Sequence, residues 1–321
     1  MILALAGGVG GAKLARGLAD VLSPEELTIA VNTGDDFEHL GLHISPDLDS
    51  VMYTLAGLND PVRGWGIARE TWNFMDSLEA LGGETWFRLG DRDLATHVER
   101  TRRLRAGENL SFVTRALCGH LGIRHTVTPM SDDPVRTRVH TTEGVLSFQD
   151  YFVRRRAEPA VTRLEFTGAE EAEIARALRA ALDNPSLRAV VICPSNPYLS
   201  IAPMLALPGL RSTLENRRVP VIAVSPIIAG RALKGPAAKI MRELGKEPSS
   251  LEVARFYAGL IDALVIDQAD AALGADIEPL GIRPLVTATV MMDPEDRAAL
   301  AGRIIDFIHL FATPTSVKAK A

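Results

Sequence analysis

"LALAGGVGGAKLARGL", residues 3–18, sets the fold of this chain. Ile2 to Ala6 is a short apolar run, Gly7, Gly8, Gly10 and Gly11 follow, and Leu14, Ala15, Leu18 and Leu22 then recur at helical spacing. The pattern predicts strand, glycine turn, helix. Such a turn lets backbone N–H groups approach an anion, and the new helix aims a positive end of roughly half a charge at the same point. Neither familiar phosphate loop fits. Lys13 is followed by Leu14, not by the hydroxyl residue a Walker loop requires, and a dinucleotide pattern begun at Gly8 would need glycine where Lys13 stands. Two readings stay open: a phosphate site built from Gly8, Gly10, Gly11 and Lys13, or a tight turn whose glycines serve packing.

Further apolar runs appear at Leu27 to Val31, Ala189 to Cys193, Val219 to Val224 and Ala263 to Ile266. They have the character of parallel strands buried on both faces. Helical segments separate them, among them Ala12 to Leu22, Ala169 to Leu182 and Leu251 to Leu260. This alternation predicts an α/β fold with a Rossmann-like, doubly wound, mainly parallel sheet, whose ligands lie beyond the carboxyl ends of the strands. The residues there are polar: Asn32, Gly34, Asp35, Asp36, Asp47 and Asp49 after the second strand, Ser195 and Asn196 after the third, Ser225, Lys234 and Gly235 after the fourth.

The core is expected to comprise residues 1–57 and 184–321, with 58–183 a largely helical insertion. In the insertion, Trp65, Trp72, Phe74 and Met75 either pack a core or line a pocket for a flat aromatic ligand. Asp91 is expected to cap a helix running through Arg103. Arg102, Arg103, Arg105, Arg154, Arg155 and Arg156 are read as solvated faces, and "VRTRVHTTEGVLSF" as a hairpin turning at Glu143-Gly144.

Composition narrows the function. A net charge of −5 argues against nucleic acid or an anionic membrane as the main partner, and 47% hydrophobic residues with 23% charged suit a soluble globular protein. The apolar start ends at Ala6 without a positive leader, and no long apolar run follows, so a cytoplasmic protein is expected. Cys118 and Cys193 are too few for a disulfide framework, and the histidines lack paired ligand spacing, so no transition-metal site is expected. Asp35, Asp36, Asp47 and Asp49 fall within fifteen residues beside the predicted crevice. Magnesium, held by one or two carboxylates plus phosphate oxygens, accounts for them; capping aspartates without metal are the competing reading. The residues thus point to magnesium-assisted phosphoryl or nucleotidyl-type transfer.

"GGVGGAKLARGL", "VNTGDDFEHLGLHISPDLDSVMYTLAG", "ETWFRLGDRDLATH", "CPSNPYLSIAPML" and "VSPIIAGRALKGPAAKIM" occur in this order. Together they closely resemble the 2-phospho-L-lactate transferase family of deazaflavin coenzyme F(420) biosynthesis, from about Met1 to Thr289. "SPDLDSVMYTL" and "RLGDRD" carry the resemblance most specifically. It implies a magnesium-requiring homodimer that joins 7,8-didemethyl-8-hydroxy-5-deazariboflavin, called Fo, to a phosphorylated small acid. The donor would be a guanosine diphosphate ester carrying a lactyl, enolpyruvyl or glyceryl acid, and GMP would be released. Asp49 and Arg88 match the positions through which the family contacts Fo. Catalysis falls to Asp49, Asp35 and Asp36, and the metal to Asp35 and Asp49. The donor side falls to Gly8, Gly10, Gly11, Lys13, Asn32, Ser195, Asn196, Ser225 and Lys234. A related family of regulatory proteins that bind a nucleotide-sugar without catalysis shares the loop and sheet, and supplies the alternative.

Overall fold

The computed structural model describes residues 1–216 and 218–312. Its strands are β1 (Ile2–Ala6), β2 (Leu27–Val31), β3 (Phe37–His39), β4 (Leu42–Ile44), β5 (Thr126–Pro129), β6 (Arg136–Thr141), β7 (Gly144–Ser147) and β8 (Val161–Thr167). There follow β9 (Ala189–Ile192), β10 (Val221–Val224), the two-residue pair β11 (Ile227–Ile228) and β12 (Arg231–Ala232), β13 (Ala263–Asp267) and β14 (Arg283–Thr287). Seven of them form one sheet in the order β14-β13-β10-β9-β1-β2-β5, every neighbouring pair parallel. The chain leaves β1 toward β2 and β5, then returns to β9 on the other side of β1. That reversal places the topological switch, and hence the crevice of an open α/β sheet, between the ends of β1 and β9.

Burial on both faces explains why these strands are continuous apolar runs. Ile2, Ala4 and Ala6 face one core layer, with Leu14, Leu18, Val51, Val113 and Ile304. Leu3 and Leu5 face the other, with Leu178, Met204, Leu210 and Val253. Each buried leucine contributes roughly 1.5–3 kcal/mol relative to exposure. The edge strands Thr126–Pro129 and Arg283–Thr287 escape the sequence reading because they lack that pattern: one begins exposed, and the other is mostly half-exposed. β5 lies within residues 58–183, and joins β2 at the sheet edge.

The first helix, α1 (Gly8–Val21), begins inside the glycine turn, earlier than the spacing of its leucines predicts, because Gly7 already serves as its N-cap. It packs on α2 (Pro46–Leu55) and on the last described helix, Pro294–Ala312. A Cβ on Gly17 would meet the Arg297 carbonyl, so the two backbones touch there. Three further helices, α3 (Asn73–Ala80), α4 (Asp91–Arg105) and α5 (Leu110–His120), precede β5. The predicted hairpin is β6–β7, and β8 completes a three-stranded antiparallel sheet. The predicted helix at Ala169–Leu182 is shorter, Arg176–Leu182, as is its counterpart Ser250–Phe256.

One expectation is corrected. Asp91 is the first residue of α4, whose N-cap is Gly90, and its carboxylate instead caps α3. It accepts hydrogen bonds from the Asn73 and Phe74 N–H groups at 3.1 and 3.0 Å and from Thr71 Oγ1 at 2.6 Å. The reason is reach: the segment before α4 folds back so that the start of α3 lies beside it. Among the described residues no helix is long and apolar enough to cross a membrane.

Candidate active site

The glycine turn closes the switch point by contact. Gly7 N–H donates to Ser195 Oγ at 3.0 Å. A Cβ on Gly10 would enter the Pro194 carbonyl, and one on Gly11 would lie 2.6 Å from Ser195 Oγ. Gly8, at φ +64°, makes the turn itself, and its N–H donates to Asp47 Oδ1 at 2.8 Å. The positive end of α1 therefore already faces a carboxylate of the chain. Lys13 extends to the Met291 carbonyl at 2.5 Å. Burial, then the charges of Arg297 and Lys234, hold its ammonium below the usual lysine range against the pull of Asp296.

Asp47 belongs to a buried acidic group with Asp35 and Asp36. Asn32 spans it, donating to Asp47 Oδ2 at 2.9 Å and accepting from Gly34 N–H at 2.9 Å. Asp36 accepts from Ser45 Oγ at 2.8 Å and lies 3.2 Å from His43 Nε2. Burial pushes the Asp47 carboxyl up to about 6, with Asp36 adding and the bonds from Asn32 and Gly8 opposing. Burial, then the charge of Asp47, raises Asp35 well above the carboxylate range. One oxygen each of Asp35 and Asp36 is buried without a hydrogen-bond partner. Carboxylate oxygens crowded in this way and short of positive charge fit a hard divalent cation.

Asp49 lies two residues beyond Asp47 in the first turn of α2, so it faces elsewhere, toward α4. There Asp93, His97 and Arg100 repeat at i, i+4 and i+7 on one face, all buried. Arg100 donates from both terminal nitrogens to the two Asp49 oxygens, Nη1 at 3.1 Å. His97 Nδ1 is 3.7 Å from Asp49 and its Nε2 3.3 Å from Asp93. Tyr53, one turn after Asp49, donates to Asp93 at 2.6 Å. Burial would lower the Arg100 pKa, but the charge and hydrogen bonds of Asp49 outweigh it and the pKa is raised. Burial would likewise raise Asp93, but His97, Tyr53 and Arg100 keep its carboxyl below the usual range. Ligand atoms of Asp49, Asp93 and His97 lie within 4.8 Å of one another, close enough to hold a metal ion. A search for paired histidines passes over this Asp-x-x-x-His spacing, and a run rich in arginine conceals that Arg100 points inward.

Arg88 is exposed, its guanidinium 4.2 Å from the Trp72 ring centre. Arg63 lies 5.1 Å from Trp72 and 5.2 Å from Trp65, so the pairs form one stack of guanidinium and indole. Trp86 stands in a separate group with Phe37, His39 and Phe87. The loop carrying Arg63 and Trp65 overlies the glycine turn: a Cβ on Gly64 would sit 3.2 Å from Val9 and 2.5 Å from Lys234 Nζ. Of the remaining expected donor residues, Asn196 caps the turn after it by accepting from Tyr198 and Leu199 N–H. Ser225 is buried against Ser250 Oγ at 3.0 Å.

Comparison with known proteins places the fold and the family. A solved structure of a upf0052 family member from Bacillus halodurans shares the fold, with a TM-score of 0.62 over 95% of this chain and 98% of that one, at 14% identity. A 2-phospho-L-lactate transferase of Methanosarcina acetivorans is 40% identical, over 95% of this chain and 98% of its own. A phosphoenolpyruvate transferase of Streptomyces griseus is also 40% identical, over 95% and 97%. The family described as 2-phospho-L-lactate transferase CofD matches residues 2–279, from β1 through β13, and this chain belongs to that family of transferases.

Proposed function

We propose that this chain is a magnesium-dependent, cytoplasmic, homodimeric transferase. It moves a phospho-lactyl group, or its phosphoenolpyruvyl or phosphoglyceryl counterpart, from a guanosine diphosphate ester to the terminal ribityl hydroxyl of Fo, releasing GMP. The observation that supports this best is the first turn of α2. Asp47 reaches the glycine turn at Gly8 while Asp49 reaches the α4 face, so one helical turn borders both the glycine turn and a second polar group.

On the donor side, the turn after β1, with Lys13 and Lys234 beside it, would receive the diphosphate. On the acceptor side, Asp49 would orient the attacking hydroxyl, and the stack of Arg88, Trp72, Arg63 and Trp65 offers flat surface for the deazaflavin. A loose transition state asks little of a general base, so Asp49 contributes mainly by positioning. Magnesium, when bound, neutralises charge on the transferring phosphoryl group. Asp35, with Asp36 and Asp47 beside it, would hold it, while Asp49, expected from the sequence to share the ion, faces α4 and is gripped by Arg100 instead.

Relatives named for phospholactate and for phosphoenolpyruvate are equally similar at 40%, so identity does not choose the acid. Purified protein mixed with Fo, magnesium and each guanylylated acid, with products weighed by mass spectrometry, makes that choice. Formation of one phosphodiester with GMP supports the reading. No product from any donor, with tight binding of a uridine diphosphate sugar, replaces it with a regulatory one.

A further inference from the structure

Arg100 has no exposed surface, and an isolated guanidinium taken out of water costs several kcal/mol. Its compensation is local. Nη1 and Nη2 grip both oxygens of Asp49, and Nη1 also lies 3.4 Å from His97 Nδ1. Arginine can only donate, so the His97 nitrogen facing it is the one with the free lone pair. His97 Nε2 lies 3.3 Å from Asp93, an ion-pair distance without a hydrogen bond, and Asp93 accepts from Tyr53. Tyr53, Asp93, His97, Arg100 and Asp49 thus form one buried polar group, in which the grip of Arg100 on Asp49 is the two-point contact. Turning Asp49 away would break two charge-assisted bonds, and a planar fork fixes a carboxylate where an ammonium would leave it free to rotate.

We propose that Arg100 is a positioning residue, which holds the Asp49 carboxylate in a single orientation toward the acceptor and supplies the cation against it. This rests on reading Asp49 as the acceptor contact. Arg100 also does locally what an ion bound among Asp49, Asp93 and His97 would do, since the positive charge at Asp49 is already present.

The test compares Arg100→Lys, Asp49→Asn and the double variant, with Fo affinity followed by deazaflavin fluorescence and GDP affinity measured in parallel. Loss of an interaction with a charged group corresponds to about a tenfold effect or more. Arg100→Lys and Asp49→Asn are each expected to weaken Fo binding about tenfold and to leave GDP binding unchanged. The double variant should bind Fo no more weakly than Asp49→Asn, because Arg100 acts through Asp49. Wild-type Fo affinity in Arg100→Lys, a parallel fall in GDP affinity, or additive losses in the double variant overturns the proposal. Wild-type Fo affinity in Asp49→Asn instead removes the reading of Asp49 beneath it. Where Arg100→Lys fails to fold, Asp49→Asn/Arg100→Gln removes both charges together and is compared with Asp49→Asn by the same titrations.

Discussion

Lys234 Nζ donates to the Arg63 carbonyl at 3.1 Å, and to that of Val62 at 3.3 Å, tying two loops that are 171 and 172 residues apart in sequence across the glycine turn. The loop is otherwise ordered from within. Asp60 accepts from the Val62 and Arg63 N–H groups at 2.9 Å each. Lys234 is the side chain that hydrogen-bonds the loop's backbone from across the glycine turn.

Lys234→Met is therefore expected to free the loop without unfolding the protein. An exposed hydrogen bond is worth roughly 0.5–1.5 kcal/mol, so tryptic cleavage after Arg63 should accelerate about two- to tenfold while Tm changes little. An unchanged cleavage rate would show that the loop is held by other contacts.

Arg88→Ala should act on one substrate only. Removing the guanidinium from Trp72 is expected to raise the KM for Fo about three- to tenfold and to leave the donor KM unaltered, as steady-state kinetics with each substrate varied would report. Equal effects on both would contradict its place on the acceptor side.

For the acidic group, added magnesium should raise the Tm of the wild type, since a ligand of the native state stabilises by mass action. Asp35→Asn should lose most of that rise, yet melt higher than the wild type in EDTA, because a buried carboxylate short of partners has been removed. Thermal melts with and without magnesium decide it, and a full magnesium response in the variant would remove Asp35 from the metal site.

Asp91 gives a pH signature. Hydrogen bonds from Thr71 and the start of α3 lower its carboxyl from 3.8 to about 2. A depressed acid stabilises the fold above its unfolded pKa and loses that contribution as pH falls through the folded one. Urea midpoints of the wild type should exceed those of Asp91→Asn at pH 5–7, converge below about pH 4 and meet near pH 2. A gap that stays constant on acidification would show that the cap works without its charge.

Gly17→Ala should be costly, because its new methyl group meets backbone instead of a movable side chain. Overpacking of this kind costs about 1–3 kcal/mol, or several degrees of Tm in a chain of this size. A melt indistinguishable from wild type would mean that the last helix shifts freely.

Much of the sheet was legible in the sequence because parallel strands buried on both faces are written as apolar runs: Ile2–Ala6 and Leu27–Val31 have the boundaries read from their letters. The edge strands were not, since pairing with a neighbour makes Thr126–Pro129 a strand more than its own residues do. At the site, the aspartates of "NTGDD" and "SPDLDS" were visible as a density of charge at strand ends. Their division into two groups was not, because it depends on which face of α2 each occupies. Arg100 was hidden for the opposite reason: among six arginines between 88 and 105 it is the one with no exposed surface, and only its tertiary contact with Asp49 of α2 distinguishes it.

The strand order has a consequence for biosynthesis. β1 emerges from the ribosome before both its neighbours and pairs with β2 soon after, but its other neighbour begins at Ala189. At roughly 5–20 residues per second, about 180 residues of synthesis leave that side of the central strand without its partner for on the order of 10–40 s. During this interval an apolar ribbon, Ile2–Ala6, presents unpaired N–H and C=O groups, which is the form in which strands recruit other chains. Chaperone cover early in translation is thus expected to raise yield in a heterologous host.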